Sequence, residues 1–179
     1  ATDFALASRS KMIDAMFFTL KDHLGRWSSD VTDTPVDEDF INIHHNFANQ
    51  EEHDGQQVMV HRKGATSAYK DQLGIIPGSM GSSSYIVRGL GNEESLMSCS
   101  HGAGRRMGRN VAKKTISEAE FAASLDGTYS KPSMSYVDEA PGAYKDIEVV
   151  IERQADLVEI VHTLKPIITI KGDSRAKED

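Results

Sequence analysis

The sequence predicts an α+β fold, a mixed β-sheet core with flanking helices. Three observations predict it. The opening residues place apolar side chains at helical spacing, the middle consists of short β-rich runs separated by glycine- and serine-rich turns, and the C-terminal part alternates short helical segments with further β-rich runs. With 179 residues, 39% of them hydrophobic and 26% charged, the chain is one domain or a large piece of one, long enough to bury a core. No apolar run approaches membrane-spanning length, and no signal peptide opens the sequence. The single cysteine, Cys99, rules out an internal disulfide and points to a reducing, cytoplasmic setting. A net charge of −7 excludes a protein coated in basic surface, so any nucleic-acid site is a local patch. Arg105, Arg106, Arg109, Lys113 and Lys114 form such a run, with no acid between them.

Taken in order, Asp3 to Leu24 reads as a helix whose stripe of Phe4, Met12, Ala15, Met16 and Leu20 faces a core, with Gly25 as its stop. Ser28 to Asp39 is polar and acidic and holds Pro35, so it reads as a loop. Phe40 to Phe47 reads as a strand in which His45 shares a face with Ile41, Ile43 and Phe47; a packed histidine and a metal ligand are both open for it. Asp54-Gly55 marks a hairpin turn before a second strand from Gln57 to Arg62, and Glu51, Glu52 and His53 read as solvated. Leu73 to Val87 reads as strand, Gly/Ser loop, strand. Gly104 to Lys114 should start a helix. Ser117 and Glu120 fit the capping box of another, with Gly127 as its end. Pro132 to Pro141 is irregular, Tyr144 to Gln154 helical, and Leu157 to Leu164 and Ile167 to Ile170 are β-rich.

The stretch richest in chemistry is Ser98-Cys99-Ser100-His101-Gly102-Ala103-Gly104-Arg105-Arg106-Met107. Small residues let backbone amides approach a ligand, consecutive N–H groups can cradle a phosphate, and arginine offers a planar fork to its oxygens. An imidazole in that setting can attack phosphorus, bind a metal or move a proton. A glycine-rich turn with an incidental histidine stands beside this reading. A second small-residue loop, Pro77 to Ser84, offers hydroxyls and free amides, but neither Walker nor dinucleotide-fold spacing is present.

His61-Arg62-Lys63-Gly64-Ala65, Gly74-Ile75-Ile76-Pro77-Gly78-Ser79-Met80-Gly81, Ser98 to Arg105, and Ala143-Tyr144-Lys145-Asp146 fall in the order seen in RtcB-type RNA-splicing ligases. The chain resembles the C-terminal part of that family's longer protein over almost all its length. The resemblance implies an RtcB-like catalytic domain over 1–172, incomplete without an N-terminal part; the charged residues over 173–179 read as a tail. It implies a ligase that uses GTP and Mn²⁺ to join RNA 3′-phosphate or 2′,3′-cyclic phosphate ends to 5′-hydroxyl ends, in tRNA splicing or RNA repair. By position, His101 resembles the nucleophile that becomes a histidine–GMP phosphoramidate, and His45 a manganese ligand. Ser79, Ser84, Gly102, Ala103, Gly104 and Lys171 match nucleotide-holding positions, and Tyr144 matches a residue beside the guanine. Lys63, Arg105 and Arg109 match residues that steer phosphates or RNA. Gly108 and Ser67 depart from the Ser and Arg usual in the family. The family's other metal ligands lie in its N-terminal half, so this chain alone is expected to be inactive. Two alternatives are a non-catalytic nucleotide- or RNA-binding remnant of the same fold, and a metal-dependent phosphoesterase.

Overall fold

The computed structural model describes residues 2–24, 41–130 and 133–171. Gly25, Phe40, Pro132, the loop expected over Ser28–Asp39 and the tail over 173–179 lie outside them.

The α+β reading holds. Helix α1 spans Thr2–Leu24, and strands β1 (Asn46–His53) and β2 (Gln56–Lys63) form an antiparallel hairpin. Asp54 and Gly55 both take positive φ, 51° and 72°, the left-handed pair that a two-residue turn needs to match strand twist. Strand β3 (Ala65–Ser67) pairs antiparallel with β6 (Ser98–Ser100), and β4 (Leu73–Ile76), β5 (Ser84–Gly89) and β7 (Val158–Leu164) make a three-stranded antiparallel sheet in the order β4-β5-β7. Helices α2 (Arg109–Thr115), α3 (Glu118–Ala123) and α4 (Ile147–Glu152) are short. Two 3₁₀ turns, Met134–Glu139 and Pro141–Ala143, link α3 to α4.

Two apolar clusters hold these pieces. Ile76, Tyr85, Val87 and Val158 of the three-stranded sheet pack with Ile147 and Ile151 of α4 and with Cys99 and Ala103 around the histidine loop. Met80, Phe121, Leu125, Val137 and Ala140 form the second, so the Gly/Ser loop is anchored through Met80 against α3 and the first 3₁₀ turn. The capping box is present: the Ser117 hydroxyl accepts from the Glu120 amide, and the Glu120 carboxylate accepts from the Ser117 amide.

Several boundaries differ from the sequence reading. The first strand starts at Asn46 and not at residue 40, because its ladder begins at the Asn46–Lys63 pair and Ile41 to His45 face no partner strand. The alternation that placed His45 on a core face therefore does not operate, and His45 is exposed. Helix α2 starts at Arg109, because Gly104 takes a left-handed φ of 69° and breaks the run. Helix α3 ends at Ala123, and Gly127 serves the following turn. Tyr144 and Lys145 precede α4, whose N-cap is Asp146. Ile167 to Ile170 forms no strand, only one isolated bridge from Ile168 to Tyr129. The stripe on α1 is not core: Phe4, Met12, Met16 and Leu20 are all exposed. Among the described residues, Arg9 of this helix donates to the Asn42 side chain at 2.8 Å and reaches His44 Nδ1 at 3.2 Å.

Glu51 is not solvated. Its carboxylate accepts both terminal nitrogens of the Arg62 guanidinium, and both side chains are nearly inaccessible. Arg62 further donates to Ser98 Oγ at 2.9 Å and to the Leu96 carbonyl at 2.8 Å, which ties the hairpin to the approach to β6. These guanidinium hydrogen bonds hold the Glu51 carboxyl at about 2 against a usual 4.5. The pair's contribution to stability is complete above pH 4.5 and is lost as pH falls from there toward about 2. Arg62→Met strands a buried carboxylate and should cost about 3 kcal/mol at pH 7 by urea unfolding. It should also remove much of the wild-type loss of stability below pH 4.5.

Candidate functional site

His101 follows directly on β6, and the three-pair ladder with β3 sets its place. Ala65 pairs with Ser100, so Gly64 lies against the imidazole; a Cβ on Gly64 would stand 3.8 Å from His101 Cε1. The buried Thr66 hydroxyl donates to the His44 carbonyl at 2.8 Å and draws in the segment that carries His45. The His45 and His101 rings stack, with centroids 5.7 Å apart and planes within 14°. His45 is exposed overall, but partial desolvation where it meets the cavity, then the neighbouring His101, Arg9 and His44, keep its imidazole below the usual 6.5. Both histidines line a cavity of about 300 Å³ together with Arg9, Asn42, Thr66 and Pro77. His101 Nδ1 is buried, and no hydrogen bond engages either ring nitrogen among the described residues. An imidazole left without a partner in a cavity is available for chemistry or ligation.

The two small-residue loops meet beside this ring. The Ala103 amide donates to the Pro77 carbonyl at 3.2 Å, while Ser100 Oγ donates to the Gly102 carbonyl at 2.6 Å and shapes the turn. Within the Gly/Ser loop, Ser79 and Ser82 share a hydroxyl hydrogen bond of 2.7 Å, and Ser84 Oγ accepts from the Gly78 amide at 3.2 Å. Ser79 and Ser84 therefore shape their own loop. The Gly104 carbonyl accepts from the Lys145 amide at 2.9 Å, and Arg105 bridges to Tyr144, so the histidine loop runs on into the 144–145 segment.

A second centre lies along that continuation, and sequence reading missed it. Asp138 and Glu139 gather four cations and a phenol. Arg105 donates to the Glu139 carboxylate at 2.6 Å and to the Asp138 carbonyl at 2.5 Å. Arg109 donates to Asp138 at 2.8 Å and to Glu139 at 3.0 Å. Lys113 stands 3.6 Å from Asp138 and Lys171 stands 3.7 Å from Glu139. The Tyr144 hydroxyl donates to Glu139 at 2.5 Å, and the Arg105 guanidinium lies over the Tyr144 ring, 4.7 Å from its centroid. Burial and then the Glu139 contact push the Tyr144 phenol up to about 12. Burial alone would raise the Asp138 and Glu139 carboxyls, yet their donors keep both below the usual range. The basic run is thus partly neutralised from a distance in sequence. An acidic pair just ahead of Tyr144, inside a segment with no regular pattern, is the signal that could have found this centre.

The structure therefore brings His45, His101, Gly102 and Ala103 together, and Arg105, Arg109, Tyr144 and Lys171 together, with Gly104 between the groups. Lys63 ends β2 exposed, without a hydrogen bond or ion pair among the described residues. No group of three His, Cys, Asp or Glu side chains is placed to hold a metal ion among the described residues. His45 can supply one imidazole donor, and a transition-metal site needs several, so the described residues do not make one by themselves. No helix among them is long and apolar enough to cross a membrane.

The family model described as tRNA-splicing ligase RtcB matches residues 1–172. The chain belongs to the RtcB family. It is 51% identical to an RNA-splicing ligase RtcB of Escherichia coli K12 over 132 residues, covering 74% of this chain and 32% of that protein. It is 43% identical to the RNA-splicing ligase RtcB1 of another Escherichia coli strain, covering 94% of this chain and 41% of that protein. The RtcB of Mycobacterium tuberculosis is 36% identical, with 80% of this chain and 38% of that protein covered. The chain thus spans 32% to 41% of the length of these RtcB relatives.

The geometry of the RtcB loop makes one position decisive for its shape. A Cβ on Gly78 would stand 2.1 Å from the Ser83 carbonyl oxygen, a backbone atom that cannot swing aside. Gly78→Ala should cost about 2 kcal/mol of stability, measured as a lowered urea midpoint.

Proposed function

We propose that this chain carries the guanylate-accepting part of a GTP-dependent RNA ligase, with His101 as the nucleophile. The observation that carries the reading is the unengaged His101 imidazole in the cavity, flanked by the two small-residue loops and stacked on His45. Membership of the RtcB family, whose relatives are named RNA-splicing ligases, supports it.

In this reading a neutral ring nitrogen of His101 attacks the α-phosphorus of GTP. A P–N bond forms, the P–O bond to the β-phosphate breaks, and pyrophosphate leaves with the electron pair. The RNA 3′-phosphate, formed from a cyclic end when water adds to phosphorus and the 2′-oxygen leaves and takes a proton, then attacks the same phosphorus, breaks the P–N bond and becomes a 3′-pp-5′G end. The 5′-hydroxyl of the second RNA attacks the 3′-phosphate, its proton is lost, and GMP departs. Each step concentrates negative charge at phosphorus, which Arg105 and Arg109 stand near the loop to balance and which exposed Lys63 can help to steer. Ser79, Ser84, Gly102, Ala103, Gly104, Tyr144 and Lys171 are the proposed nucleotide contacts. Manganese enters as a requirement of the whole protein, with His45 contributing one imidazole. The remaining ligands and the N-terminal part of the fold complete the site, and the proposed setting is cytoplasmic.

The test uses RNA with 2′,3′-cyclic-phosphate and 5′-hydroxyl ends and GTP radiolabelled at the α-phosphorus. The longest polypeptide encoded by the reading frame that contains this chain should join the ends and take up an acid-labile label. His101→Ala in that polypeptide should abolish both, by at least about a thousandfold, the scale expected when a nucleophile is removed. Normal joining by His101→Ala would remove the nucleophile assignment. GTP binding without labelling would favour a non-catalytic remnant, and phosphate release from RNA ends without joining would favour a phosphoesterase. The 179-residue chain alone should take up no label.

A further inference from the structure

We propose that Glu139 is a positioning residue that yokes the base side of the nucleotide site to its phosphate side. The inference rests on the proposed assignment of Tyr144 and Lys171 to the nucleotide and of Arg105 and Arg109 to phosphates. Glu139 itself belongs to none of those sets.

The two oxygens of its carboxylate divide the work. Oε1 accepts from Arg105 at 2.6 Å and from Arg109 at 3.0 Å, the two guanidinium groups on the histidine loop and the first turn of α2. Oε2 accepts from the Tyr144 hydroxyl at 2.5 Å and faces Lys171 Nζ at 3.7 Å. One side chain thus fixes four groups that come from three separate stretches of sequence. The arrangement also fixes how Tyr144 presents its ring. Its hydroxyl is held at the edge by Glu139 and one face is covered by Arg105, which leaves the opposite face as the one a purine can use. The backbone bridge between Arg105 and Tyr144 sets the same two residues side by side from below.

The charge count fits a scaffold and not a plug. Asp138 and Glu139 together face Arg105, Arg109, Lys113 and Lys171, two negative charges against four positive. The carboxylates immobilise the cations while leaving the cluster with a positive surplus for an incoming phosphate. Holding rotamer-rich arginine and lysine side chains in place before the ligand arrives lowers the cost of binding, which is how such a carboxylate acts without touching substrate.

Glu139→Gln is the sharpest variant. The amide keeps the shape but has one acceptor oxygen, so it cannot serve donors on both sides, and its NH₂ is set against other donors. The test measures the initial rate of His101 labelling against GTP concentration in the longest polypeptide encoded by the reading frame, KM here being the half-saturating GTP concentration and kcat the limiting single-turnover rate, with melting temperature followed in parallel. Glu139→Gln should raise KM for GTP about tenfold while kcat at saturating GTP stays within about twofold, since a lost charge-assisted hydrogen bond is worth about that factor. Tyr144→Phe removes only the hydroxyl and keeps the ring, so it remains decisive where the glutamine variant fails to fold; it should raise KM in the same direction. The double variant should be no worse than the more affected single one, because both remove the same link. An unchanged KM in both single variants, a fall in kcat with KM unmoved, or fully additive effects would overturn the proposal while His101 labelling stood. Absence of GTP-dependent labelling in the wild-type polypeptide would overturn the ligase reading, and this proposal with it.

Discussion

A ladder of three residue pairs fixes the position of His101. Strand β3 runs Ala65 to Ser67 and β6 runs Ser98 to Ser100, and neither has another partner. Their pairing places Gly64 under the imidazole, sets Thr66 to hold the His44 carbonyl, and so brings His45 over the ring. Two longer-range ties keep so short a ladder in place. The Ser100 amide donates to the Gln154 side chain at 2.9 Å, and Arg62 reaches Ser98 and the Leu96 carbonyl from the hairpin. Both anchors are buried polar groups, and a buried arginine is tolerable only because the Glu51 carboxylate meets it.

Charge is handled differently at the two ends of the site. Around His101 the described residues supply no carboxylate, and the nearest titratable ring, His45, is kept toward its neutral form. Neutral imidazoles are what nucleophilic attack and metal ligation both require. Along the continuation to Tyr144, by contrast, Arg105, Arg109, Lys113 and Lys171 are each met by a carboxylate. In the proposed reading, fixed cations of this kind would lose little freedom when a phosphate arrived, whereas the exposed Lys63 would have to be ordered.

What was legible in the sequence follows from how local each signal is. The Asp54-Gly55 hairpin, the Ser117–Glu120 capping box and the Leu73 to Val87 strand–loop–strand are written within a few residues, and the structure shows each. The order of short motifs also pointed to the family that the chain belongs to, since each motif lies within a few consecutive residues. Partners distant in sequence were not legible. Glu51 looked solvated because its guanidinium lies eleven positions away across a hairpin. Asp138 and Glu139 looked like part of an irregular segment because Arg105 and Arg109 precede them by about thirty residues. The α1 stripe looked like core because helical periodicity records an apolar face without recording what covers it.

Cys99 sits one residue pair from the end of that short ladder, fully enclosed in the main apolar cluster. Burial pushes its thiol up to about 11, so at neutral pH almost none of it is the reactive thiolate. As the chain's one cysteine, it is a chemical witness to the strand that delivers His101. A thiol reagent reaches it only when β6 and the cluster around it open, so the rate of alkylation under native conditions reads the opening of the core that carries the histidine loop.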